Sequence, residues 1–482
     1  MIKKRSLGLL LALGLAVNIS AKTIVLYHTS DTHGFFYPQN GVGGFAALAA
    51  VVKQEPLPHL LLDSGDFANG TVETKNSKGA KAVEMLNAVG YDAVTVGNHE
   101  FDFKDAGIDA LLPQARFAVL AANMRQKETQ QLPVWAQAYK LFDVDGVKVG
   151  VIGLANRTPT QPSQKYTFTK PLTALQQALQ SLAPQQPDVV VVLVHDSLAD
   201  YKNGILRYMG DISKKYSGQV HIVLGGHAHK IFQNEFLNAV LYAESGCALK
   251  NVTKVTVDVD DKTGAFKSAR SELIALRVAK TGQDPHIQAL AQQLQEPGMD
   301  EVLGTIQTEV SNRPVQAGHQ DSALDNWIAQ TCRAYTQTPI YIHNTGGTRV
   351  SLSQGPFTRR TLIDLFPFDD NLVQFSITGQ ELKKFIRQHL LPWNKYVYDG
   401  LEISYQVKKG KVKNLTVRLN GKPLENKKYY TVGTNSYVAR NRAFDKAVNK
   451  QTVGTKKVRQ VIEQKLRQEP VVAPDTGHIV QQ

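Results

Sequence analysis

The feature of this sequence that most constrains its fold lies in the first half. Several short apolar segments there are each followed by side chains of the kinds that bind metal ions. Five such segments predict strands: Ile24–Tyr27, Leu60–Leu62, Ala93–Val96, Val189–Val194 and His221–Leu224. The side chains that follow them, in order, are Asp31 and His33, Asp66, Asn98, His195, and His227 with His229. In α/β sheets, ligands bind beyond the carboxyl ends of the strands, so the five together predict one site. Any single Asp-x-His or His-x-His pattern would fit a structural histidine or a capping aspartate.

The same half of the chain predicts an α/β fold. Further candidate strands are Ala118–Ala121, Val147–Ile152 and Val240–Ala243. The amphipathic segment Ala80–Val89, closed by Gly90, predicts a helix between two of the strands. The uninterrupted apolar run Val189–Val194 indicates a strand buried on both faces, which is typical of a sheet covered by further layers.

Length and composition predict more than one domain. The 482 residues, 42% hydrophobic and 20% charged, have the size and composition of two or three soluble globular domains. A Gln-rich stretch at about Ile287–Gln295, followed by Pro297 and Gly298, indicates a solvated connecting helix, and we expect a hinge near Glu296–Asp300. The predicted organisation is a signal peptide over 1–21, a first domain over 23–283, a linker helix and hinge over 284–301, a second α/β domain over 302–469, and a polar tail over 470–482.

The N-terminal segment has the pattern of an export signal. A basic start, Lys3 to Arg5, precedes the apolar stretch Leu7–Val17, which is too short to span a bilayer, and small residues allow cleavage after Ala21. A buried N-terminal helix is the alternative. No second apolar run approaches transmembrane length, so we expect a periplasmic or secreted protein without a stable membrane anchor.

Net charge limits the expected class of partner, and cysteine content limits the expected disulfide bonds. The formal net charge of +13 favours anionic partners, but the basic residues are scattered without a long run, so we do not expect binding to a nucleic acid polymer. The two cysteines, Cys247 and Cys332, are too few for a disulfide framework, and we predict no bond between them.

The ordered motifs resemble a known family. The set Asp-x-His-Gly, Gly-Asp, Gly-Asn-His-Glu, His and Gly-Gly-His-x-His is similar to the calcineurin-like metallophosphoesterases. Asn98 to Asp102 and the second half narrow the resemblance to the 5′-nucleotidase family, which includes the bacterial periplasmic UDP-sugar hydrolases and the 2′,3′-cyclic-nucleotide phosphodiesterases. The resemblance runs from about Thr23 to Leu466. It implies a four-layer α/β/β/α metallophosphoesterase domain followed by a separate α/β substrate-binding domain.

The resemblance also implies a site with two divalent metal ions. Asp31, His33 and His229 would bind one ion, Asn98, His195 and His227 the other, and Asp66 would bridge them. Mixed histidine, carboxylate and amide ligands suit Zn²⁺, Mn²⁺ or Co²⁺ better than Mg²⁺. The family often has a Thr before and a Gly two residues after the third histidine, whereas this chain reads Val194-His195-Asp196-Ser197.

His99 and Asp102 are the predicted catalytic pair. By resemblance His99 is not a ligand; as an imidazolium oriented by Asp102 it would stabilise charge that develops on the phosphoryl group and the leaving oxygen. The alternative for Asp102 is a helix cap or a surface turn.

The second half resembles the family's nucleotide-binding domain. Asn344 and Arg349 match its Asn-x-Gly-Gly-x-Arg turn, and Phe368 and Tyr437 match the two aromatic residues that hold a flat base. Each aromatic alone would also fit the core. The family's Gly-Gly-Asp-Gly loop is replaced here by 439–444, with Arg440 and Arg442, and Gly318–Asn326 lacks the family's upstream Arg and has Gln320 nearby.

We therefore predict an exported metal-dependent phosphoester hydrolase that releases phosphate from nucleoside 5′-phosphates. The alternatives on the same scaffold are a cyclic-nucleotide phosphodiesterase or 3′-nucleotidase, a nucleotide-sugar hydrolase and a thiosulfohydrolase. A non-catalytic nucleotide-binding surface protein is a further alternative, and the intact ligand set argues against it.

Overall fold

The computed structural model describes residues 21–39, 41–202, 207–314, 316, 318–391 and 395–481. The predicted signal peptide therefore lies outside the described residues, apart from Ala21. The chain forms two compact units. Unit 1 comprises residues up to Asn69 and Ser77–Gln292, and unit 2 comprises Gly70–Asn76 and Gln293–Gln482.

Unit 1 contains two six-stranded mixed sheets. The strands of the first sheet, in spatial order, are Phe266–Ala275, Asn251–Asp260, Ala21–Thr29, His59–Asp63, Ala93–Thr95 and Ala118–Leu120. The strands of the second sheet, in spatial order, are Ile231–Leu237, Val240–Ser245, Ile222–Leu224, Val189–Val194, Val147–Leu154 and Tyr139–Val144. A separate antiparallel pair joins Met124–Gln126 to Tyr166–Phe168. All eight predicted strands are present.

The two large sheets of unit 1 share one apolar core. Residues of the first sheet, such as Ile24 and Leu62, and of the second, such as Val191 and Leu224, belong to the same buried cluster. A second cluster joins the other face of the second sheet to the helix Pro171–Leu182. Sheets that are covered on both faces explain the continuous apolar strands, and the predicted layered α/β domain is confirmed.

The helices of unit 1 connect these strands. They are Phe45–Lys53, Ala80–Val89, Lys104–Leu111, Pro171–Leu182, Leu198–Lys202, Arg207–Tyr216, Val278–Thr281 and Pro285–Gln293. The helix predicted over Ala80–Val89 has those bounds, and Gly90 ends it in the left-handed conformation (φ 87°), which glycine adopts without steric cost.

Unit 2 is also α/β. Its five-stranded sheet has the order Tyr396–Asp399, Ile340–Asn344, Tyr429–Asn435, Asn371–Thr378 and Val448–Lys457. A four-stranded sheet has the order Lys422–Pro423, Lys411–Leu419, Leu401–Lys408 and Ile479–Gln481, and Val302–Ile306 pairs with Gly355–Thr358. Its helices are Val72–Asn76, Ala323–Thr336, Arg359–Leu365, Gly379–His389 and Val458–Gln468.

Two segments of unit 2 differ from the predicted organisation. The short helix Val72–Asn76 belongs to unit 2, where buried Glu73 forms an ion pair with Arg360. Residues 470–481, predicted as a polar tail, include the strand Ile479–Gln481, which pairs in parallel with Leu401–Lys408. Ile479 and Val471 are fully buried, but the segment has only two short apolar pairs, Val471-Val472 and Ile479-Val480, which are too short to show a period. Among the described residues, the helices are all too short or too polar to cross a membrane.

Candidate active site

The predicted ligand residues of unit 1 follow the carboxyl ends of strands in the two large sheets. Asp31 and His33 follow Ala21–Thr29, Asp66 follows His59–Asp63, Asn98 follows Ala93–Thr95, His195 follows Val189–Val194, and His227 and His229 follow Ile222–Leu224. The first three of these strands are mutually parallel, and so are the last two. Their carboxyl ends therefore meet at common sheet edges, as the sequence predicted.

The backbone at this edge is unusual. Five of the seven predicted ligands have positive φ angles: Asp31 (52°), His33 (50°), Asp66 (61°), His227 (78°) and His229 (57°). Non-glycine residues rarely adopt this conformation, and it persists only where the surrounding structure imposes it. Such strain is concentrated at functional sites because it directs side chains to positions that regular strands and turns do not supply.

The side chains form two adjacent groups. The ligand atoms of Asp31, His33 and His229 lie within 4.8 Å of one another, and so do those of Asp66, His195 and His227. In the first group, His33 Nε2 lies 3.1 Å from His229 Nε2. Asp31 Oδ1 lies 3.4 Å from His229 Nε2 and 3.9 Å from His195 Nε2, which places the two groups side by side.

The donor set fits metal ions. His195 Nε2 lies 3.1 Å from Asp66 Oδ2. Yet within the described part of the chain His195 Nε2, Asp31 Oδ1 and Asn98 Oδ1 are buried without a hydrogen-bond partner. A buried polar atom that lacks a partner costs free energy, and metal coordination would remove that cost. Close approach without hydrogen-bond geometry is what ligands of a common ion would show.

Backbone carbonyls orient two of the histidines. His33 Nδ1 lies 2.8 Å from the carbonyl oxygen of Asn69, and His195 Nδ1 lies 2.5 Å from that of Ser64. A carbonyl oxygen only accepts hydrogen bonds, so both Nδ1 atoms carry the proton, and Nε2 presents its lone pair towards the group. This is the usual arrangement around metal-binding histidines.

Glu100 builds the loop that carries Asp66. Its buried carboxylate accepts hydrogen bonds from the backbone N–H groups of Asp66 (3.1 Å), Phe67 (2.9 Å), Ala68 (3.1 Å) and Gly97 (2.7 Å). Asp66 Oδ1 in turn accepts from the backbone N–H of His99 at 2.8 Å. A Cβ atom at Gly97 would lie 2.1 Å from Asp66 Oδ1, so only glycine permits this approach.

The Asp66 carboxylate acts on histidines of both groups. Burial lowers the pKa of His33 to about 4, and the charge of Asp66 opposes that shift. Burial lowers the pKa of His195 too, but Asp66 and Asp31 outweigh it and hold that pKa well above its ordinary value. Burial also lowers the pKa of His227, again against Asp66. A charge that favours a proton in both groups also favours a bound cation there.

His99 and Asp102 lie beside the first group. His99 Nδ1 lies 2.8 Å from Asp102 Oδ2, and the His99 ring contacts the His33 ring edge to face at 5.2 Å. Asp102 also accepts hydrogen bonds from Asn69 Nδ2 (2.6 Å) and Thr160 Oγ1. Burial lowers the pKa of His99, but the hydrogen bond to Asp102 and the nearby carboxylates raise it above its ordinary value. Asp102 thus orients His99 and favours its charged form, while it also ends the short helical turn His99–Phe101.

The two positions around His195 that depart from the family pattern are Val194 and Ser197. Val194 is a buried residue at the end of its strand, and Ser197 Oγ donates to Glu244 at 2.9 Å. Between them, Asp196 accepts hydrogen bonds from the Tyr208 hydroxyl and from Asn156 Nδ2 (3.3 Å). The His195 ring lies with Asp66 and His227 despite these departures.

A second set of predicted residues lies in unit 2. Phe368 and Tyr437 are 40% and 62% exposed, so neither is a core residue. The guanidinium of Arg349 lies 5.8 Å from the centre of the Phe368 ring. Asn344 Oδ1 accepts a hydrogen bond from Asn435 Nδ2 at 2.7 Å, which leaves the Asn344 amide nitrogen as a donor. Arg440 and Arg442, in the loop after Tyr437, lie at the surface.

Sequence analysis missed three residues that organise the site. Glu100, Asn69 and Thr160 are not predicted ligands or catalytic residues, yet they position Asp66 and Asp102. The Glu100 carboxylate directly follows Asn98-His99, a signal that could have identified it. Asn69 and Thr160 lie in loops without a recognisable motif.

Comparisons with known proteins match both halves of the chain. Residues 24–231 match the family model described as calcineurin-like phosphoesterase, and residues 302–447 match that of the 5′-nucleotidase C-terminal domain. Endonuclease YhcR of Bacillus subtilis is 25% identical over 420 residues, or 82% of this chain, but the match spans only 34% of that protein. Protein UshA of Yersinia enterocolitica is 26% identical over 474 residues, which cover 86% of this chain and 85% of UshA.

A solved structure has the same fold along nearly the whole chain. The crystal structure of a 5′-nucleotidase precursor from Thermus thermophilus superimposes with a TM-score of 0.79 at 23% identity. The superposition covers 95% of this chain and 99% of that one. At this level of identity the likeness concerns the fold.

Proposed function

We propose that this phosphoester hydrolase, which belongs to the 5′-nucleotidase family, uses two divalent metal ions to release phosphate from nucleoside 5′-phosphates. The observation that carries the proposal is the convergence of six ligand-type side chains in two groups at the strand ends of unit 1. Buried atoms of Asp31, Asn98 and His195 that lack a hydrogen-bond partner among the described residues support it.

The ligands divide between the ions as follows. Asp31, His33 and His229 would hold one ion, and His195 and His227 the other. Asn98, whose Oδ1 is buried without a hydrogen-bond partner among the described residues, would complete the second set. Asp66 would serve both, and the influence of its charge on His33, His195 and His227 supports that role. Histidine nitrogens mixed with carboxylate and amide oxygens favour Zn²⁺, Mn²⁺ or Co²⁺.

The protein's own residues complete the chemistry. When bound, a pair of ions polarises the phosphoryl group and increases the acidity of an attacking water. His99 would hold a proton on Nδ1 against Asp102, and its charged ring would stabilise negative charge on the phosphoryl oxygens and the leaving oxygen. Asn69 and Thr160 keep Asp102 in place for that task.

Unit 2 would recognise the nucleotide. Phe368 and Tyr437 offer exposed ring faces for a base, Asn344 offers an amide donor, and Arg349 offers a guanidinium that suits phosphate. These groups suit a small nucleotide better than a nucleic acid polymer, because the chain has no continuous basic run.

We also propose that the protein acts outside the cytoplasm, in the periplasm or after secretion. The support is the sequence pattern of residues 1–21, a basic start followed by an apolar stretch and small residues. N-terminal sequencing of the protein from the culture or periplasmic fraction tests this, and an intact Met1 there would contradict it.

The decisive experiment is a phosphoester panel with metal reconstitution. Chelator-treated protein should be inactive, and added Mn²⁺ or Zn²⁺ should restore release of phosphate from AMP. Exposed His286→Asn is the matched control, because it removes a histidine outside both groups and should behave as wild type. Full activity in protein that contains no metal by mass spectrometry would contradict the proposal, and activity only on a cyclic nucleotide or a nucleotide sugar would redefine the substrate.

A further inference from the structure

The carboxylate of Asp370 joins the two loops of unit 2 that carry the exposed aromatic residues. Asp370 Oδ1 accepts a hydrogen bond from Ser436 Oγ at 2.6 Å and another from the backbone N–H of Tyr437 at 3.1 Å. Asp370 lies two residues after Phe368. Oδ1 of Asp370 therefore connects the loop that carries the Phe368 ring to the backbone of Tyr437.

This connection lies just beyond the ends of two neighbouring strands of the sheet. The strands Asn371–Thr378 and Tyr429–Asn435 are antiparallel neighbours, and Leu372 pairs with Asn435 at their ends. Just beyond that pair, the backbone N–H of Ser436 still donates to the carbonyl oxygen of Asn371 at 2.8 Å. Phe368 and Tyr437 both lie outside the strands, so the ladder alone does not fix the position of their rings.

The Phe368 loop is fixed on its other side. Asp369 forms ion pairs with Lys75 (2.8 Å) and Arg459, both in unit 2. The Phe368 ring packs edge to face against buried Phe366, with centroids 5.7 Å apart. Tyr437 is less enclosed, since 62% of its surface is exposed. Two hydrogen bonds between Asn371 and Ser436 hold the start of its loop, and the Asp370 carboxylate adds the bond at Tyr437 itself.

We propose that Asp370 is a positioning residue that fixes the loop of Tyr437 relative to that of Phe368, so that a planar base can be held by the two rings. The inference rests on the proposed function, because it assigns the two rings to the base of a nucleotide. Hydrogen bonds to a carboxylate are stronger than neutral ones, and a preformed gap spares the loss of loop entropy on binding. Asp370 would therefore determine affinity for the base without touching the reacting phosphate.

Both hydrogen bonds end on one oxygen of Asp370, so three variants can change them to different extents. Asp370→Ala removes both hydrogen bonds, whereas Asp370→Asn keeps an acceptor oxygen for both while it removes the charge. Ser436→Ala removes one of the two, together with the hydrogen bond that Ser436 Oγ accepts from the backbone N–H of Asn371 (3.2 Å). Asp445→Asn is the matched control, because Asp445 is an exposed carboxylate in the same loop region and outside the proposed network.

Two measurements on the full chain separate base recognition from chemistry. Asp370→Ala should weaken adenosine binding, measured by calorimetry without metal, and raise KM for AMP by about tenfold, the scale of lost hydrogen bonds to a charged group. Its kcat for AMP and its hydrolysis of p-nitrophenyl phosphate, which lacks the base, should stay near wild type. Asp370→Asn should resemble wild type, and Ser436→Ala should lie between the two.

The outcomes distinguish this inference from the proposed function. Wild-type protein that binds no adenosine would overturn the positioning role, whereas metal-reconstituted wild type that releases no phosphate from AMP would overturn the proposed function. Adenosine binding by wild type together with unchanged affinity in Asp370→Ala would overturn the positioning role alone, as would an Asp370→Asn variant as weak as Asp370→Ala. If Asp370→Ala does not fold, the folded Ser436→Ala variant decides, since unchanged adenosine affinity in it would overturn the inference.

Discussion

Nδ1 of His99 lies 2.8 Å from Oδ2 of Asp102, so the ring nitrogen that faces away from Asp102 is Nε2. The same carboxylate accepts hydrogen bonds from Asn69 and Thr160, which fixes its orientation. The His99 side chain is 32% exposed and so is accessible to a substrate, but the predicted ligand His229 is 36% exposed as well. What distinguishes His99 from the predicted ligands is its pairing with Asp102.

His99→Asn should therefore lower kcat by roughly 10²–10⁴-fold, the range for a lost acid–base or charge-stabilising group. Metal content should stay near wild type, because His99 belongs to neither group of ligand-type side chains. Steady-state kinetics and elemental analysis of the same preparation check both statements. Loss of one metal equivalent would make His99 a ligand and contradict the assignment.

Asn69→Ala should lower kcat by about tenfold, because it removes one hydrogen bond to the Asp102 carboxylate. It should not release metal, because the group that orients His33 is the backbone carbonyl of residue 69, which alanine retains. Asn69→Gln keeps the amide group but moves it one methylene further from the backbone, so it tests whether the position of the amide relative to Asp102 matters. If Asn69→Ala loses metal with unchanged kcat per bound metal, the side chain acts on the ligands instead.

Asp66→Ala should be the most damaging single ligand substitution. Its carboxylate acts on histidines of both groups, so its removal should deplete both ions rather than one. Elemental analysis after gel filtration measures this directly, with exposed Asp261→Ala as the control for loss of a carboxylate. Retention of two metal equivalents in Asp66→Ala would disprove the bridging role.

Metal removal should lower thermal stability as well as activity. An ion that binds only the folded state stabilises it by about 4 kcal/mol when its free concentration is about 1,000 times Kd. The buried atoms of Asp31, Asn98 and His195, which lack a partner among the described residues, add to the cost of the metal-free state. Differential scanning calorimetry with chelator and then with added Mn²⁺ should show Tm fall and recover. An unchanged Tm would argue against metal binding at these buried atoms.

The loop after Tyr437 should reduce discrimination at the sugar. In place of the Gly-Gly-Asp-Gly loop that the family resemblance predicts, this chain has Arg440 and Arg442 at its surface. A deoxynucleotide would then leave no loop aspartate unpaired. We expect similar kcat/KM for AMP and dAMP, and comparatively good hydrolysis of ADP and ATP because guanidinium groups favour additional phosphate. Alternatively, both arginines face only solvent.

The double variant Arg440→Ala, Arg442→Ala distinguishes these alternatives. It should lower kcat/KM for ADP and ATP relative to AMP, while the exposed pair Lys409→Ala, Lys411→Ala removes the same charge elsewhere and should not. A strong preference for AMP over dAMP that survives the arginine double variant would show that another residue recognises the ribose.

The sequence by itself determined eight strands of the first domain, the helix Ala80–Val89 and the order of the ligand-type residues. These follow from local patterns: apolar runs form strands, a 3.6-residue period forms a helix, and parallel strands place their carboxyl ends together. The layered α/β fold of the first domain was predictable for the same reason. The family resemblance added the division of ligands between two ions, which remains a proposal.

Only the tertiary structure decided how those residues are held. The carbonyl of Ser64 orients His195 from 131 positions away, and Asp370 reaches Ser436 across 66 positions. The strand Ile479–Gln481 likewise exists because Leu401–Lys408 offers it an edge. Such contacts depend on which surfaces folding brings together, and a local pattern of residues carries no record of a partner distant in the chain.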